Sequence, residues 1–257
     1  LVHGIGDPGF REVDNRAAAN VAKAAKATGV ARIVYLGGFV PGDEELSDHL
    51  AGRAEVAEAL TEPGGAELVW LGAALIFGAG STSFEILRYV GDRFPVLPIP
   101  SWMHNPIDPI SIRDVLHYLV AAADPERVPA GSYDIYGPER TTYRDLLASY
   151  ARLAGNLRVE IPVGPVPTVL ASKVSALALP VPGSLTADLT ASLDYPMVAT
   201  DAGLRERVSD PDGGLLGVDE SIRRSLTRHR RRPVNDLADP HHLADTDPDW
   251  AGGDFAR

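Results

Sequence analysis

The order of apolar and polar residues predicts helices and strands in alternation. Between residues 12 and 28, apolar side chains recur at helical spacing, and most of them are small. Gly29 follows as a helix C-cap, and residues 32–36 form a short β-branched run that ends in two glycines, which indicates a buried parallel strand. Because ligands of open α/β sheets collect at the carboxyl ends of strands, Gly37 and Gly38 are the first candidate site residues.

The same alternation continues as far as residue 154. The pattern predicts helices at 47–60, 83–94, 113–123 and 142–154, and extended segments at 67–71, 109–112 and 133–136. Such alternation implies right-handed crossovers and a parallel sheet. The chain then becomes rich in proline and less periodic, so we predict a first domain at 1–155, a smaller lobe at 156–230 and an extended tail at 231–257.

Composition and charge exclude several classes of function. The chain has 257 residues, of which 45% are hydrophobic, enough to bury the core of one domain with a lobe. Its formal net charge of -11 argues against attraction to nucleic acid or to anionic membrane. It contains no cysteine, which excludes thiolate chemistry and suits a reducing cytoplasm. The longest apolar stretch, 166–181, is interrupted by prolines and a lysine, so no membrane span is predicted.

Several short motifs carry a resemblance to a known family. They are DNRAAANVAKAA and GVARIVYLGG within residues 14–38, the segment 71–81, PISIRDV at 109–115, and GSYDIYGP at 131–138 followed by a Thr-Tyr pair. In this order they resemble atypical and extended short-chain dehydrogenase/reductases, especially NmrA-like proteins and proteins like the 39-kDa subunit of complex I. The resemblance implies an α/β fold with a Rossmann-like doubly wound parallel sheet, here N-terminally incomplete, a smaller C-terminal lobe, and NAD or NADP as cofactor.

The first residues are expected to belong to an incomplete sheet. Residues 1–4 have the pattern of the tail of a buried strand, and the chain does not begin with methionine. Under the resemblance, His3 and Gly4 follow the fourth strand and contact the adenosine side of the cofactor. We therefore interpret the sequence as a fragment whose glycine motif lies upstream, and we expect dinucleotide binding to be impaired in it.

A glycine fingerprint does occur near the start, but we reject it. The spacing G-x-G-x-x-G is present at positions 4, 6 and 9. Pro8 removes one backbone donor from this loop, and Asp7 introduces a carboxylate where a phosphate would bind. The spacing is therefore interpreted as accidental.

The resemblance also implies a catalytic set, which this chain lacks in its usual form. The family has a Ser or Thr after the fifth strand and a Tyr-x-x-x-Lys pair on the next helix. Here the first position falls within 37–39, and the pair aligns with His49 and Arg53. His49 is the candidate catalytic residue because it can move a proton, and Arg53 keeps the charge that contacts the ribose. The alternative is a solvated i, i+4 pair on an acidic helix face.

Further candidate residues come from the resemblance and from the local sequence. Gly37 and Gly38, together with Ala73 and Ala74 after the sixth strand, are implied cofactor contacts. Ser81–Ser83 either binds a phosphate or caps a helix. The remaining candidates are residues 102–104, which either line a substrate pocket or pack the lobe, and the pair His241 and His242, which lacks the separated ligands of a metal site.

Two classes of function follow from these residues. The first is an NAD(P)-dependent oxidoreductase or epimerase-like enzyme that acts on an unknown small molecule. The second is a non-catalytic dinucleotide-binding protein, a redox sensor or an assembly subunit with an unknown protein partner. The substituted catalytic positions favour the second class, while the glycines at the strand end and Arg53 allow the first.

Overall fold

The computed structural model describes residues 9–39, 48–166, 192–226, 239–243, 247 and 251–252, without the side chains of 48–51, 53 and 192. The helices in these ranges are α1 (Phe10–Thr28), α2 (Asp48–Ala59), α3 (Thr82–Arg93), α4 (Ile112–Ala122), α5 (Tyr143–Ala154), α6 (Gly203–Arg207) and α7 (Val218–Ser225). The strands are β1 (Arg32–Gly38), β2 (Glu67–Ala73), β3 (Ile76–Phe77), β4 (Val96–Ile99), β5 (Pro106–Ile107), β6 (Ile110–Ser111), β7 (Gly131–Asp134), β8 (Thr141–Thr142) and β9 (Val159–Pro162). Short 3-10 turns lie at Ser101–His104 and Ser192–Asp194.

The main sheet has the order β1-β2-β7, and both pairings are parallel. On one face α1 and α2 bury Ala18 and Val56 against Tyr35 of β1. On the other face α4 buries Val115 and Tyr118 against β2. Helices on both faces of a parallel sheet define a doubly wound α/β fold. The parallel sheet predicted from the alternation of elements is therefore confirmed.

The first helix shows why the small-residue pattern places it close to the sheet. Ala18, Ala22 and Ala25 are buried on α1, and their methyl groups allow close approach. The helix ends at Gly29, whose φ of 71° is left-handed and whose N–H donates to the carbonyls of Ala25 and Lys26. Glycine adopts this conformation without a steric penalty, so the predicted C-cap is confirmed.

Smaller pairings connect the later part of the chain to the earlier part. β3 pairs with β6 and β4 with β9 in parallel, while β5 pairs with β8 antiparallel. The segment 159–162, which we predicted to belong to the lobe, thus pairs side by side with the strand at 96–99. A second core beneath these pairings is built from α3, α5 and α7. The proposed boundary near residue 155 stays a prediction.

The predicted helices agree with the observed ones to within two residues at each end. The strands differ more: β1 and β2 continue two residues beyond their predicted ends because their parallel pairing runs on through the glycines. β7 covers 131–134 instead of 133–136, since only 131–134 lie opposite β2. No helix within the described ranges is long and apolar enough to cross a membrane.

Candidate functional site

Four small residues lie side by side where β1 and β2 end. The register pairs Gly37 with Gly72 and Gly38 with Ala73, and the N–H of Phe39 donates to the carbonyl of Ala73 at 3.3 Å. We call Gly37, Gly38, Gly72 and Ala73 the strand-end row. Because this row has no side chain larger than a methyl group, the carboxyl edge of the sheet presents mainly backbone.

Gly37 is required by the packing beneath the row. A Cβ atom at position 37 would lie 2.5 Å from Nε1 of Trp70 and 2.9 Å from the Tyr35 ring. The indole N–H of Trp70 is buried and has no hydrogen-bond partner among the residues that the structure describes. A serine at position 37, one of the places where the resemblance puts the catalytic hydroxyl, would therefore displace this indole.

The third strand of the sheet ends in a carboxylate that holds a distant segment. One oxygen of Asp134 accepts hydrogen bonds from the N–H of Thr200 at 2.7 Å, the hydroxyl of Thr200 at 3.1 Å and the N–H of Asp201 at 3.1 Å. Sequence reasoning missed Asp134 because the predicted strand at 133–136 placed this residue inside the strand, whereas the observed strand ends at it.

A second carboxylate anchors the same segment. Asp108 is 3% exposed and accepts two hydrogen bonds of 2.7 Å from the Arg140 guanidinium and one of 2.9 Å from the N–H of Ala199. Hydrogen bonding to Asp108 raises the pKa of Arg140. Asp108 and Asp134 together fix residues 199–201 beside the end of β7.

A cavity of about 390 Å³, largely open to solvent, lies between the two 3-10 turns. Its lining consists of Ser101, Trp102, Asn105, Pro165, Val166 and Asp194. The indole N–H of Trp102 donates to the carbonyl of Val166 at 3.2 Å, and the Asn105 amide donates to the carbonyl of Leu193 at 2.8 Å. Each of the two interpretations of residues 102–104 applies to a different residue. Trp102 lines the cavity, whereas Met103 is buried in the second core, and His104 is exposed.

The remaining predicted contacts are only partly visible. His3 and Gly4 lie outside the described residues, and His49 and Arg53 belong to α2 but their side chains lie outside the description. Ala74 follows the strand-end row, is partly buried and packs against the second core. The assignment of all these residues to cofactor or catalysis stays a prediction.

The start of α3 differs from the capping we considered. Ser81 occupies the N-cap position, but its side chain makes no capping hydrogen bond. The carboxylate of Glu85 instead accepts the N–H of Gly80 at 3.0 Å. Burial raises the pKa of Glu85, although the Arg88 charge and backbone N–H groups oppose this effect. Glu85 of α3 therefore holds the loop residue that precedes the N-cap and does not cap the helix itself.

The structure brings together a buried Ser-His-Asp chain that the sequence did not reveal. Nε2 of His241 lies 2.9 Å from Oγ of Ser111, 130 residues away, and its Nδ1 lies 2.6 Å from Asp239. Ser111 and His241 are both 0% exposed, and Oγ of Ser111 also accepts the N–H of Arg113 as the N-cap of α4. No substrate reaches such a hydroxyl, so these three hydrogen-bonded side chains have a structural role. The described residues contain no group of three or more His, Cys, Asp or Glu that could hold a metal ion.

A scan of protein-family models and a search of curated proteins find no match, whereas solved structures do match. A nucleoside-diphosphate-sugar epimerase from Staphylococcus aureus is similar over 87% of this chain and 75% of its own, with 15% identity and a TM-score of 0.63. Citrobacter sp. triphenylmethane reductase complexed with NADP(H) is similar over 85% and 74%, with 18% identity and a TM-score of 0.61. The Bordetella bronchiseptica enzyme WbmH in complex with NAD+ is similar over 87% of this chain and 71% of its own, with 14% identity and a TM-score of 0.59.

At these identities the likeness establishes the fold. The chain has a Rossmann-like α/β fold, which confirms the α/β, Rossmann-like fold class that the motifs implied. Function is a separate question, because one fold serves many activities.

Proposed function

We propose that this chain is an NAD(P)-binding protein of the atypical short-chain dehydrogenase/reductase type, and that it acts as an oxidoreductase or epimerase-like enzyme on a small molecule. The observation that carries the proposal is the strand-end row at the carboxyl edge of a parallel sheet. Dinucleotides bind at this edge in doubly wound sheets. Two of the similar solved structures are described as complexes with NAD+ and NADP(H).

The residues at this edge fit the nicotinamide half of such a cofactor. Gly38 is half-buried and carries no side chain, so a flat ring can approach its backbone, and the neighbouring Ala73 and Ala74 carry only methyl groups. The nearby carboxylate of Asp134 is already engaged by three hydrogen bonds. When bound, the cofactor supplies hydride transfer, and the residues of this chain bind and orient the reactants. Arg53 remains our candidate for the ribose contact.

The cavity between the 3-10 turns is the candidate substrate pocket. Its volume of about 390 Å³ lies within the range of small-molecule sites. Trp102 offers an apolar ring face, while Asn105 and Asp194 add polar groups that can orient a substrate. This mixture suits a small molecule that has both a flat apolar part and polar substituents.

A non-catalytic dinucleotide-binding role is the second candidate, because one observation favours it. The Trp70 indole fills the space in which a side chain at position 37 would lie. Glycine at position 37 fits beside this indole but provides no hydroxyl, and Gly38 provides none either. In this alternative, a bound cofactor stabilises a surface that a protein partner recognises, as in a redox sensor or an assembly subunit.

Cofactor binding and turnover should be measured separately on the chain. Because we expect dinucleotide binding to be impaired in this sequence, NADH and NADPH should raise Tm only when they are added in large excess over a weakened Kd; a ligand at about 100 times its Kd adds about 2.7 kcal/mol. Cofactor oxidation with a panel of carbonyl substrates then distinguishes the two candidates. Turnover supports the enzyme, and a stabilised protein that never oxidises either cofactor supports the sensor or assembly subunit.

A blocking variant ties the result to the strand-end row. Gly38→Val places a branched side chain on the row and should abolish the rise in Tm, while its backbone conformation tolerates the change because φ is not positive there. Gly164→Val is the matched control, since nothing lies within 4 Å of a Cβ atom at that exposed position. A rise in Tm that survives Gly38→Val would overturn the proposed position of the cofactor.

A further inference from the structure

The described residues near the carboxyl terminus form a strap across three elements. We call residues 239–243, 247 and 251–252 the C-terminal strap. The carbonyl of His241 accepts the N–H of Ala79 at 2.9 Å, and the N–H of Gly252 donates to Glu85 at 3.0 Å. The strap thus fastens to the loop before α3 and to α3 itself.

Two further contacts hold the strap to α4 and α7. His241 reaches Ser111 at the start of α4, and Asp239 lies 3.3 Å from the Arg224 guanidinium near the end of α7. The carboxylate of Asp247 lies against Gly80, where a Cβ atom would approach it to 3.0 Å. The strap is therefore seated on groups that come from widely separated parts of the sequence.

The buried hydrogen bonds of His241 require a neutral ring. The carboxylate of Asp239 can only accept, so Nδ1 of His241 carries a hydrogen and donates to it at 2.6 Å. Nε2 then accepts the hydroxyl hydrogen of Ser111, while Oγ of Ser111 accepts the N–H of Arg113 at 3.1 Å. Each donor in this series of hydrogen bonds has an acceptor.

A second proton on His241 disrupts this arrangement. Nε2–H would point at the hydroxyl of Ser111, and the hydroxyl hydrogen would need a different acceptor inside a site where Ser111 and His241 are both 0% exposed. An unsatisfied polar hydrogen in such a site is unfavourable, because the group has lost its contact with water and has gained no other acceptor. Undocking the strap returns the charged ring to water and removes the conflict.

We propose that the C-terminal strap is a proton-released latch, in which protonation of His241 breaks the Ser111–His241–Asp239 chain and detaches the strap from the loop before α3. The latch does not depend on the proposed cofactor or on catalysis. Its three residues, Ser111, His241 and Asp239, are the ones that hold the strap in place.

The charges around His241 give the direction of the effect. Burial is the largest influence and lowers the pKa of His241 below its ordinary value of about 6.5. The hydrogen bond and charge of Asp239 oppose this, the charge of Arg224 on α7 adds to the lowering, and the charge of Asp114 on α4 opposes it. A lowered pKa means that docking is fully favoured above about pH 6.5 and weakens as the pH falls below it.

Glu85 is the second buried titratable group against the strap, and its effect has the opposite sign. Burial raises the pKa of Glu85; Arg88 and the N–H groups of Gly80 and Gly252 lower it, and Asp247 raises it. A carboxyl group with a raised pKa adds stability as the pH falls. Release of the strap on acidification therefore cannot come from Glu85.

Amide hydrogen exchange of Ala79 tests the latch directly, because its N–H is bonded to the strap. After correction for intrinsic exchange rates, the opening constant should rise up to tenfold per pH unit between about 6.5 and the pKa of docked His241. Amides of β2 should keep their protection over this range. His241→Gln should remove the pH dependence, whereas the control His104→Gln, at an exposed histidine, should leave it unchanged.

Nitrogen NMR of the unaltered chain supplies a readout that does not require a variant. It should report the Nδ1–H form of neutral His241 and a titration midpoint below about 6.5 that coincides with the opening of Ala79. The proposal is overturned if Ala79 stays protected after His241 has titrated. It is equally overturned if β2 amides open together with Ala79, which would indicate global unfolding.

Discussion

The strand-end row and the seat of the C-terminal strap are built in opposite ways. The row consists of glycines and an alanine, so it presents backbone, while Trp70 and Asp134 occupy the space beside Gly37 and Gly72. The seat is filled by polar side chains, of which Ser111 and His241 are fully buried and hydrogen-bonded to each other. We propose the first region as a ligand site, while the second is closed around a part of the same chain.

The comparison shows that the types of side chain present do not by themselves identify a functional site. A Ser-His-Asp arrangement is often associated with catalysis, but here its hydroxyl caps a helix and is sealed from solvent. The strand-end row has no reactive side chain, yet it lies where ligands of doubly wound sheets bind. Access and position, more than the identity of the groups, decide which region is the better candidate site.

The largest effect is expected at the row. Gly37→Val should lower the free energy of unfolding by about 3 kcal/mol, because its Cβ atom would overlap the indole of Trp70. Chemical denaturation measures the loss, and Gly164→Val should change stability by less than about 0.5 kcal/mol. Trp70→Leu should recover part of the loss in the double variant; a Gly37→Val protein as stable as the parent would show that the packing is loose.

A smaller effect is expected at the seat of the strap. Ser111→Ala removes the N-cap of α4 and leaves Nε2 of His241 without its donor, so the free energy of unfolding should fall by about 1–3 kcal/mol. Ser209→Ala, at an exposed serine, is the control and should be close to neutral. Equal stabilities for the two variants would mean that the buried chain contributes nothing to holding the strap.

The smallest effect concerns pH. Because burial raises the pKa of Glu85, its contribution to stability is fully present below the unfolded pKa of about 4.3 and is lost as the pH rises through the raised value. Glu85→Gln stays neutral, so its stability relative to the parent should increase as the pH rises from about 4.3 through the raised pKa of Glu85. Denaturation at several pH values measures this trend, and a difference that shrinks with pH would contradict the assignment.

Much of the fold was readable from local patterns. The alanine spacing and Gly29 defined α1, and the β-branched run before Gly37 defined β1, because both depend on residues close together in sequence. The motif order also led to the correct fold class. The ends of β1, β2 and β7 were less accurate, since strand length depends on which residues of the neighbouring strand lie opposite.

The sequence by itself determined the alternation of elements, the candidate strand-end glycines, and the absence of thiolate chemistry in this chain. Only the tertiary structure decided that Trp70 fills the space at Gly37, that Asp134 holds residues 199–201, and that His241 joins Ser111 from 130 residues away. The physical reason is that periodicity and caps are local properties of the backbone. Burial and hydrogen-bond partners, in contrast, depend on which distant segments the folded chain brings into contact.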